Sequence, residues 1–203
     1  MIALLLAVAI PSINIIDDAG RARSTEQWRG TPTILVPMYT RCPLACPMIA
    51  DNLKRVSVNI NINTYRVVFF SFDPRDTPAD LRAFRERHHI PLAWTLATAN
   101  AADTRRLMDA IDFRFSEVMT HPSQVVVLTP RLERAKVLLG TTFDAATLNA
   151  ALDVARGGQD WLGRYGGYAL ALLLLVCVLS VIYLATLLRH SSNRRSRTLN
   201  ISS

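Results

Sequence analysis

Two of the three cysteines in the chain lie close together in the stretch YTRCPLACP, residues 39–47. Cys42 and Cys46 are separated by three residues, and a proline follows each of them. Such a pair can form a disulfide, carry out thiol–disulfide exchange or supply two thiolate ligands to a soft metal ion. A purely structural disulfide is the least favoured of these roles, because a chain of this length buries enough apolar surface to fold without a staple.

The prolines indicate where the two thiols lie relative to the next helix. Proline disfavours the helical region for the residue before it. Cys46 is therefore predicted to cap the following helix, with Pro47 in the first turn, and Cys42 is predicted to lie in the preceding loop. The unpaired N–H groups at a helix N-terminus lower the pKa of a nearby thiol. The pattern thus favours thiolates, the form that attacks disulfides and binds metals.

A metal site needs further ligands, and the chain has four histidines. Structural zinc is disfavoured, because two thiolates do not complete its usual four positions and no second cysteine pair is present. His88 and His89 lie in a charged, helix-like segment, and His190 follows a long apolar segment. His121 precedes Pro122 and leads into a strand-like run, so its backbone is predicted to be extended. Its position alone leaves His121 open as a ligand or as an inert loop residue.

The order of apolar runs and helix-like segments between residues 11 and 156 predicts an α/β domain. Strands rich in Val, Ile and Phe are predicted at 33–39, 66–72, 92–97, 124–129 and 134–140, the last two as a hairpin. Helices are predicted at about 47–59, 78–89, 102–112 and 144–155. The second helix has the clearest start, with Thr77 as N-cap, Pro78 at the first helical position and Asp80 completing a capping box.

The C-terminal part predicts a membrane anchor. Residues 165–188 carry no charge and are long enough to cross a bilayer as a helix, after a linker at 157–164. The tail, 189–203, contains four arginines and no acidic residue, which predicts that it lies in the cytoplasm. The protein is therefore expected to cross the bacterial inner membrane once, with its domain in the periplasm. These arginines supply much of the net charge of +7, so no nucleic-acid partner is predicted.

The N-terminal segment MIALLLAVAI, residues 1–10, is predicted to be either a remnant of a signal peptide or a first strand. Export of the domain agrees with a cytoplasmic basic tail. In an exported domain, Cys42 and Cys46 lie in a compartment where disulfides can form and persist.

Three motifs in succession, YTRCPLACP, FFSFDPRDTPADLRAF and THPSQVVVLTP, resemble the SCO/SenC family of thioredoxin-like copper proteins. The resemblance covers roughly residues 13–155. It implies a thioredoxin-like sandwich at 11–156 in which Cys42, Cys46 and His121 are the copper ligands. It also implies that Asp73 orients these ligands without binding copper. A capping or turn-forming role is the alternative for Asp73.

The resemblance implies a copper chaperone, rather than an enzyme, that helps assemble the copper site of cytochrome c oxidase. Two thiolates and one imidazole suit Cu(I) and leave an open side for handover. The implied partners are a copper-accepting oxidase subunit, a thiol reductant and the membrane. The alternative is a thiol–disulfide oxidoreductase that acts through Cys42 and Cys46, although its usual motif has two intervening residues rather than three. A redox or copper sensor is a third hypothesis.

Three features depart from the family pattern. The predicted anchor follows the domain, whereas family members usually carry it in front. Pro37 interrupts the predicted strand that leads to the cysteines and removes one of its hydrogen-bond donors. TPRLERAK, residues 129–136, replaces the more usual acidic, glycine-containing hairpin turn.

Overall fold

The computed structural model of the protein describes residues 9–58, 60, 64–115, 121–157, 167, 171–180 and 183. The chain divides into two compact units, Met1–Gly158 and Gln159–Ser203. Within the described residues, the first unit contains a seven-stranded sheet, four α-helices and one 3-10 helix. The predicted α/β class is therefore confirmed.

Most strands are followed along the chain by a helix, and two pairs of strands follow each other directly. The strands are β1 (Asn14–Asp17), β2 (Ala22–Ser24), β3 (Thr33–Met38), β4 (Arg66–Ser71), β5 (Thr95–Thr98), β6 (Gln124–Leu128) and β7 (Arg134–Leu139). The α-helices are α1 (Ala45–Ser57), α2 (Pro78–Arg87), α3 (Ala101–Ala110) and α4 (Ala145–Ala155), and the 3-10 helix is Thr25–Trp28. The strand order in the sheet is β2-β1-β5-β4-β3-β6-β7. The three strands β5, β4 and β3 are parallel, and every other neighbouring pair is antiparallel.

The centre of the sheet forms the core. All six residues of β3 and all five of β6 are buried, as are five of the six residues of β4. Strands buried on both faces read as continuous runs of Val, Ile, Leu and Phe, which is why the sequence predicts them well. Phe69 and Phe70 of β4 have no exposed surface, and the ring of Phe69 stacks on Trp94 with a centroid distance of 5.8 Å.

Most predicted elements lie within two residues of their observed positions. The hairpin of β6 and β7 is confirmed, with Val126 opposite Val137. The predicted strand at 92–97 instead begins at Thr95, since the residues before it form a turn. The sequence does not predict β1 or β2, because they have only four and three residues and only Ile15 and Asp17 among them are buried.

The start of α2 is confirmed in detail. The Thr77 side chain accepts a hydrogen bond from the Asp80 backbone N–H at 3.2 Å, and the Asp80 carboxylate accepts one from the Thr77 N–H at 2.8 Å. Pro78 occupies the first helical position. The Thr77 side chain and the Asp80 carboxylate each satisfy a backbone N–H that would otherwise have no partner at the helix start.

The predicted start of α1 is wrong by two residues. The helix begins at Ala45, so Cys46 lies inside the first turn and Leu44 is the N-cap. The preference of a residue before proline for extended backbone is outweighed here, because the helical position of Cys46 lets its backbone N–H bond the sulfur of Cys42.

Pro37 does not interrupt β3, which continues to Met38 beside β4. The carbonyl of Met38 accepts a hydrogen bond from the backbone N–H of Phe72, the residue after β4. The backbone polar groups of Met38 therefore face β4, and those of Pro37 face β6. The donor that Pro37 lacks is therefore missing on the β6 side alone. The pairing of β3 with β6 accordingly ends at Leu35.

Half of the predicted membrane span at 165–188 lies outside the described residues. Residues 171–180 of this segment are helical and exposed. Among the residues that the structure does describe, none of the helices combines the length and the apolar character needed to cross a bilayer. Most of the predicted linker and the whole predicted tail also lie outside the described residues.

The predicted N-terminal segment is described only at its end. Ala9 forms an isolated antiparallel bridge with Glu133, and the Ile10 N–H donates to the Leu132 carbonyl at 2.9 Å. Residues 9 and 10 therefore contact the turn between β6 and β7, and residues 1–8 lie outside the described residues.

Replacing Phe69 with alanine tests the packing of the core. The substitution removes a fully buried ring from β4 and the stacking partner of Trp94, so we expect the free energy of unfolding to fall by about 3–5 kcal/mol. Chemical unfolding followed by tryptophan fluorescence measures this loss. The control is Leu92→Ala, whose side chain is 89% exposed and whose removal should have little effect. Equal losses in the two variants would contradict the described core.

Candidate metal centre

The sheet brings the predicted site residues to one end of the domain. Cys42 and Cys46 follow the C-terminal end of β3, and His121 precedes the N-terminal end of β6. These strands are antiparallel, with Leu35 opposite Val126, so the segment after β3 lies beside the segment before β6. Residues distant in sequence are thus neighbours in space.

The two cysteines are free and buried. Cys42 is 7% exposed and Cys46 is 1% exposed. The Cys46 backbone N–H donates a hydrogen bond to the Cys42 sulfur, with an N–S distance of 3.2 Å. The N-cap residue Leu44 supplies no side-chain acceptor. The Cys42 sulfur therefore takes the part that an oxygen acceptor usually plays at the start of a helix.

The environments of the two thiols push their pKa values apart. A hydrogen bond from the Cys46 thiol is the largest cause that lowers the pKa of Cys42 to about 5, although burial opposes it. Backbone hydrogen bonds at Cys46 and Leu44 and one from the Tyr39 hydroxyl lower it further. The same bond with Cys42, followed by burial and by the charge on Cys42, raises the pKa of Cys46. At neutral pH the pair thus carries one negative charge, on Cys42.

Tyr39 connects the cysteine loop to His121. Burial is the largest cause that raises the pKa of Tyr39 to about 12, and the charge on Cys42 adds to it. The hydroxyl therefore stays protonated and donates to Cys42. The other contact is between rings, since Tyr39 and His121 meet edge to face with centroids 5.6 Å apart. Sequence reasoning missed Tyr39, although an aromatic residue three positions before Cys42 was a usable signal.

His121 lies among aromatic rings with one nitrogen engaged. Its centroid is 5.1 Å from that of Phe72 and 5.8 Å from that of Phe113. Its Nδ1 atom is 3.0 Å from the Pro122 carbonyl oxygen. In the tautomer protonated at Nδ1, the Nδ1–H donates a hydrogen bond to that oxygen, and the lone pair of Nε2 is free to coordinate a metal ion. Metal-binding histidines commonly have their second nitrogen held in this way.

The three predicted copper ligands do not form a closed metal site. Across the described parts of the chain, no group of three or more His, Cys, Asp or Glu side chains is arranged so that it could hold a metal ion. The structure brings Cys42 and Cys46 together and brings His121 to Tyr39, which itself bonds Cys42. His121 is thus joined to the cysteine pair through the Tyr39 side chain.

Asp73 holds two arginines beside the cysteine loop. It is fully buried and accepts hydrogen bonds from Arg41, which precedes Cys42, and from Arg75 at 3.0 Å. Burial would raise the pKa of Asp73, but the hydrogen bonds and charges of the two arginines outweigh it and hold the pKa at about 2. Asp73 therefore acts on the loop through Arg41.

Asp76 is a buried site residue that sequence reasoning missed. It accepts hydrogen bonds from the Thr40 backbone N–H and hydroxyl, both at 2.7 Å, and from the Ser71 hydroxyl at 2.6 Å. These bonds tie the cysteine loop to the end of β4. The charge of Asp76 is also one of the causes that raise the pKa of Cys46. In the sequence, Thr77, Pro78 and Asp80 account for the start of α2 and Asp73 is given a role beside the ligands, which leaves Asp76 without one.

The remaining predicted metal candidates have structural roles or lie elsewhere. The His88 ring packs on Phe84 with a centroid distance of 4.5 Å, and burial lowers the pKa of His88. His89 is exposed at the end of α2, where it adopts a positive φ of 50°. His190 lies outside the described residues.

The donor types fit a soft metal ion. Two cysteine sulfurs and an imidazole nitrogen prefer Cu(I) to hard cations such as Mg²⁺ or Ca²⁺. The thiolate of Cys42 at neutral pH is the form that binds metal. The residues present can therefore take copper as cargo, provided that His121 and the cysteine pair approach each other.

A thiol titration tests the charge state of the pair. We expect ultraviolet thiolate absorbance of the metal-free, reduced protein to show one thiol that ionises near pH 5, because the Cys42 pKa is lowered to about 5. Cys42→Ser should abolish this step. Cys46→Ala should move it to higher pH, because the largest cause of the lowered pKa is lost. Cys177→Ser is the control and should leave it unchanged. A wild-type protein with no thiol ionising below pH 7 would contradict the arrangement.

Comparisons with known proteins place the chain in a family. The family model described as SCO1/SenC matches residues 9–152. A crystal structure from Aquifex aeolicus VF5, described as that of a "putative electron transfer protein", is 33% identical, covers 76% of this chain and 96% of that chain, and has a TM-score of 0.72. The structure of Arabidopsis thaliana ScoI with copper bound is similar in fold, at 19% identity, with 74% and 99% coverage and a TM-score of 0.60.

A curated relative from Stutzerimonas stutzeri is named "Putative copper-binding protein" and is 28% identical over 111 residues. The match covers 53% of this chain and 53% of that relative, so it spans about half the length of each. The family match extends over most of the described domain and includes the cysteine loop, the Asp-Pro segment and the segment at His121. The chain therefore belongs to the SCO1/SenC family and has its thioredoxin-like fold.

Proposed function

We propose that the protein binds copper, as Cu(I), through Cys42, Cys46 and His121 and delivers it to the copper site of a respiratory oxidase during assembly. The observation that carries the proposal is the pair of free, buried cysteines with an ionised Cys42 at the start of α1. Membership of the SCO1/SenC family supports copper as the cargo and an oxidase subunit as the acceptor.

Loading would replace a shared proton by a metal ion. Cys42 is already a thiolate, whereas Cys46 keeps its proton and donates it in the hydrogen bond to Cys42. Uptake of Cu(I) would release the Cys46 proton and put the cation between the two sulfurs. The positive charge of the cation would compensate for the burial of a second thiolate.

Recruitment of His121 would require the Tyr39 contact to rearrange. The Tyr39 ring touches His121, and its hydroxyl bonds Cys42. Once the Cys42 thiolate coordinates a metal ion, the Tyr39 hydroxyl would lose its hydrogen-bond acceptor. The metal ion would then attract the Nε2 atom of His121. The metal-free arrangement is therefore an open form of a three-ligand site.

Handover would occur from the exposed side of the cysteine loop. Leu44 lies between the two cysteines in sequence and is 65% exposed, and Met48 on the first turns of α1 is 39% exposed. An acceptor that docks on these apolar side chains brings its own sulfur or nitrogen ligands to the metal. Transfer by exchange of one ligand at a time keeps free copper out of solution.

The proposed setting is the bacterial inner membrane, with the domain in the periplasm and the tail in the cytoplasm. The uncharged segment 165–188 followed by an arginine-rich tail supports this orientation. A thiol reductant is a necessary partner there, because only the reduced cysteine pair can load copper.

Anaerobic Cu(I) titration of the full chain in detergent, against a competing chelator, tests the proposal. We expect one tightly bound Cu(I), and X-ray absorption should count two sulfur neighbours and one nitrogen neighbour. Removing any one ligand by Cys42→Ser, Cys46→Ser or His121→Ala should weaken binding by more than the roughly 10- to 100-fold that loss of a ligand's hydrogen-bond partner costs, because a two-ligand site remains.

The matched controls are Cys177→Ser and His89→Ala, which change the same residue types outside the site. Both should bind copper like the unchanged protein. Unaltered affinity in His121→Ala would remove the histidine from the proposal. Failure of the unchanged protein to bind Cu(I) would overturn it.

A thiol–disulfide oxidoreductase is the second candidate function, and the unequal thiols favour it. A low-pKa thiolate such as Cys42 can attack a disulfide, and a protonated neighbour such as Cys46 can then resolve the mixed disulfide. The burial of both sulfurs argues against it, because attack needs the thiolate to reach a partner's sulfur.

Turnover by the metal-free protein separates the two functions. With copper excluded by a chelator, we expect the full chain to reduce a protein disulfide, in the presence of excess dithiol, no faster than the Cys42→Ser variant does. The rate of appearance of the reduced substrate is the readout. Multiple turnovers by the unchanged protein that disappear in both Cys42→Ser and Cys46→Ser would establish the oxidoreductase instead.

A further inference from the structure

A basic cavity lies between the β1–β2 hairpin, the 3-10 helix and the beginnings of β4 and β5. Its volume is about 250 Å³. Three arginines line it, Arg21, Arg23 and Arg66, together with one carboxylate, that of Asp17. Polar side chains thus dominate a recess that is large enough for a small ligand.

The one carboxylate of this cavity is already engaged. Asp17 is 4% exposed and accepts hydrogen bonds from the Arg21 backbone N–H and from the Arg21 Nε, both at 2.8 Å. It also accepts one from the Ala19 N–H at 3.0 Å and a longer one from the Arg23 Nε at 3.5 Å. Asp17 therefore neutralises the hairpin arginines in part, and among the described residues no carboxylate forms an ion pair with Arg66.

Arg66 lines this cavity and carries an unsatisfied donor. Its Nη1 atom is buried, and in the part of the chain that the structure describes it has no hydrogen-bond partner. Burial lowers the pKa of Arg66, which means that its surroundings disfavour the charged form. A buried guanidinium nitrogen without an acceptor is costly, and an ordered water or a bound ion is one way in which native proteins meet that cost.

We propose that this cavity is a binding site for a phosphate-type oxyanion, either free phosphate or the phosphate group of a larger molecule. Three guanidinium groups against one carboxylate leave a surplus of two positive charges, which matches the charge of about −1.5 to −2 on a phosphate group near neutral pH. The planar fork of guanidinium donors suits the oxygens of phosphate, and an oxyanion in the cavity would compensate for the charge of the arginines that line it.

The oxyanion site is independent of the proposed copper function. Arg66 is the first residue of β4, whereas Ser71, which bonds Asp76 beside the cysteine loop, is the last. Five residue steps along a strand span about 16 Å. An anion at Arg66 therefore neither touches nor competes with the cysteine pair, and either site can fail its test while the other stands.

Calorimetric titration of the metal-free full chain with inorganic phosphate, in detergent and at constant ionic strength, tests the site. We expect saturable binding by the unchanged protein. Arg66→Gln should weaken it by about 10- to 100-fold, because a charge-assisted hydrogen bond is lost. The matched control is Arg105→Gln, which removes an exposed arginine from α3 and should leave binding unchanged. Arg23→Gln, on the rim of the cavity, is the second variant if Arg66→Gln folds poorly, and it should also weaken binding.

A second titration with glycerol phosphate distinguishes the two sources of the anion. Tighter binding of the ester supports a phosphate group carried by a larger molecule, and tighter binding of inorganic phosphate supports the free ion. Phosphate also stabilises proteins by exclusion from their surface, so a rise in Tm supports the site only where Arg66→Gln reduces it. Absence of saturable binding, or equal affinity in the unchanged protein and Arg66→Gln, would overturn the proposal.

Discussion

The hydrogen bonds that converge on the Cys42 sulfur organise the whole functional end of this protein. The Cys46 backbone and thiol, the Leu44 backbone and the Tyr39 hydroxyl all donate to that one atom. Together they stabilise a thiolate at the start of a helix, where the macrodipole also favours negative charge. The charge then raises the pKa of Cys46 and of Tyr39, so a single ionised atom sets the protonation of its neighbours.

Two buried carboxylates, Asp73 and Asp76, anchor the loop that carries this thiolate. Asp76 fixes Thr40, two residues before Cys42, to the end of β4, and Asp73 holds Arg41. The loop that carries the cysteines is therefore anchored to the central strand by side chains as well as by its own backbone. This anchoring fixes the position of the cysteine loop, which would reduce the entropy lost when a ligand binds to the sulfurs.

Local signals in the sequence predict local structure well. The capping box of α2 and the β-branched and aromatic runs of β3, β4 and β6 need only neighbouring residues to be recognised. Tyr39 and Asp76 were missed because their contacts depend on strand register and on bonds between residues 36 positions apart. Cys46 was predicted as the N-cap, but the sulfur of Cys42 accepts the hydrogen bond from the backbone N–H of Cys46, so Cys46 itself lies in the first turn.

Pro37 limits the hydrogen bonding between the two strands that carry the site. It faces β6 without a donor, and the ladder between β3 and β6 ends two residues before it. Beyond that point the cysteine side and the imidazole side of the site meet through the rings of Tyr39 and His121. A change in the contact between Tyr39 and His121 would therefore break no hydrogen bond between β3 and β6.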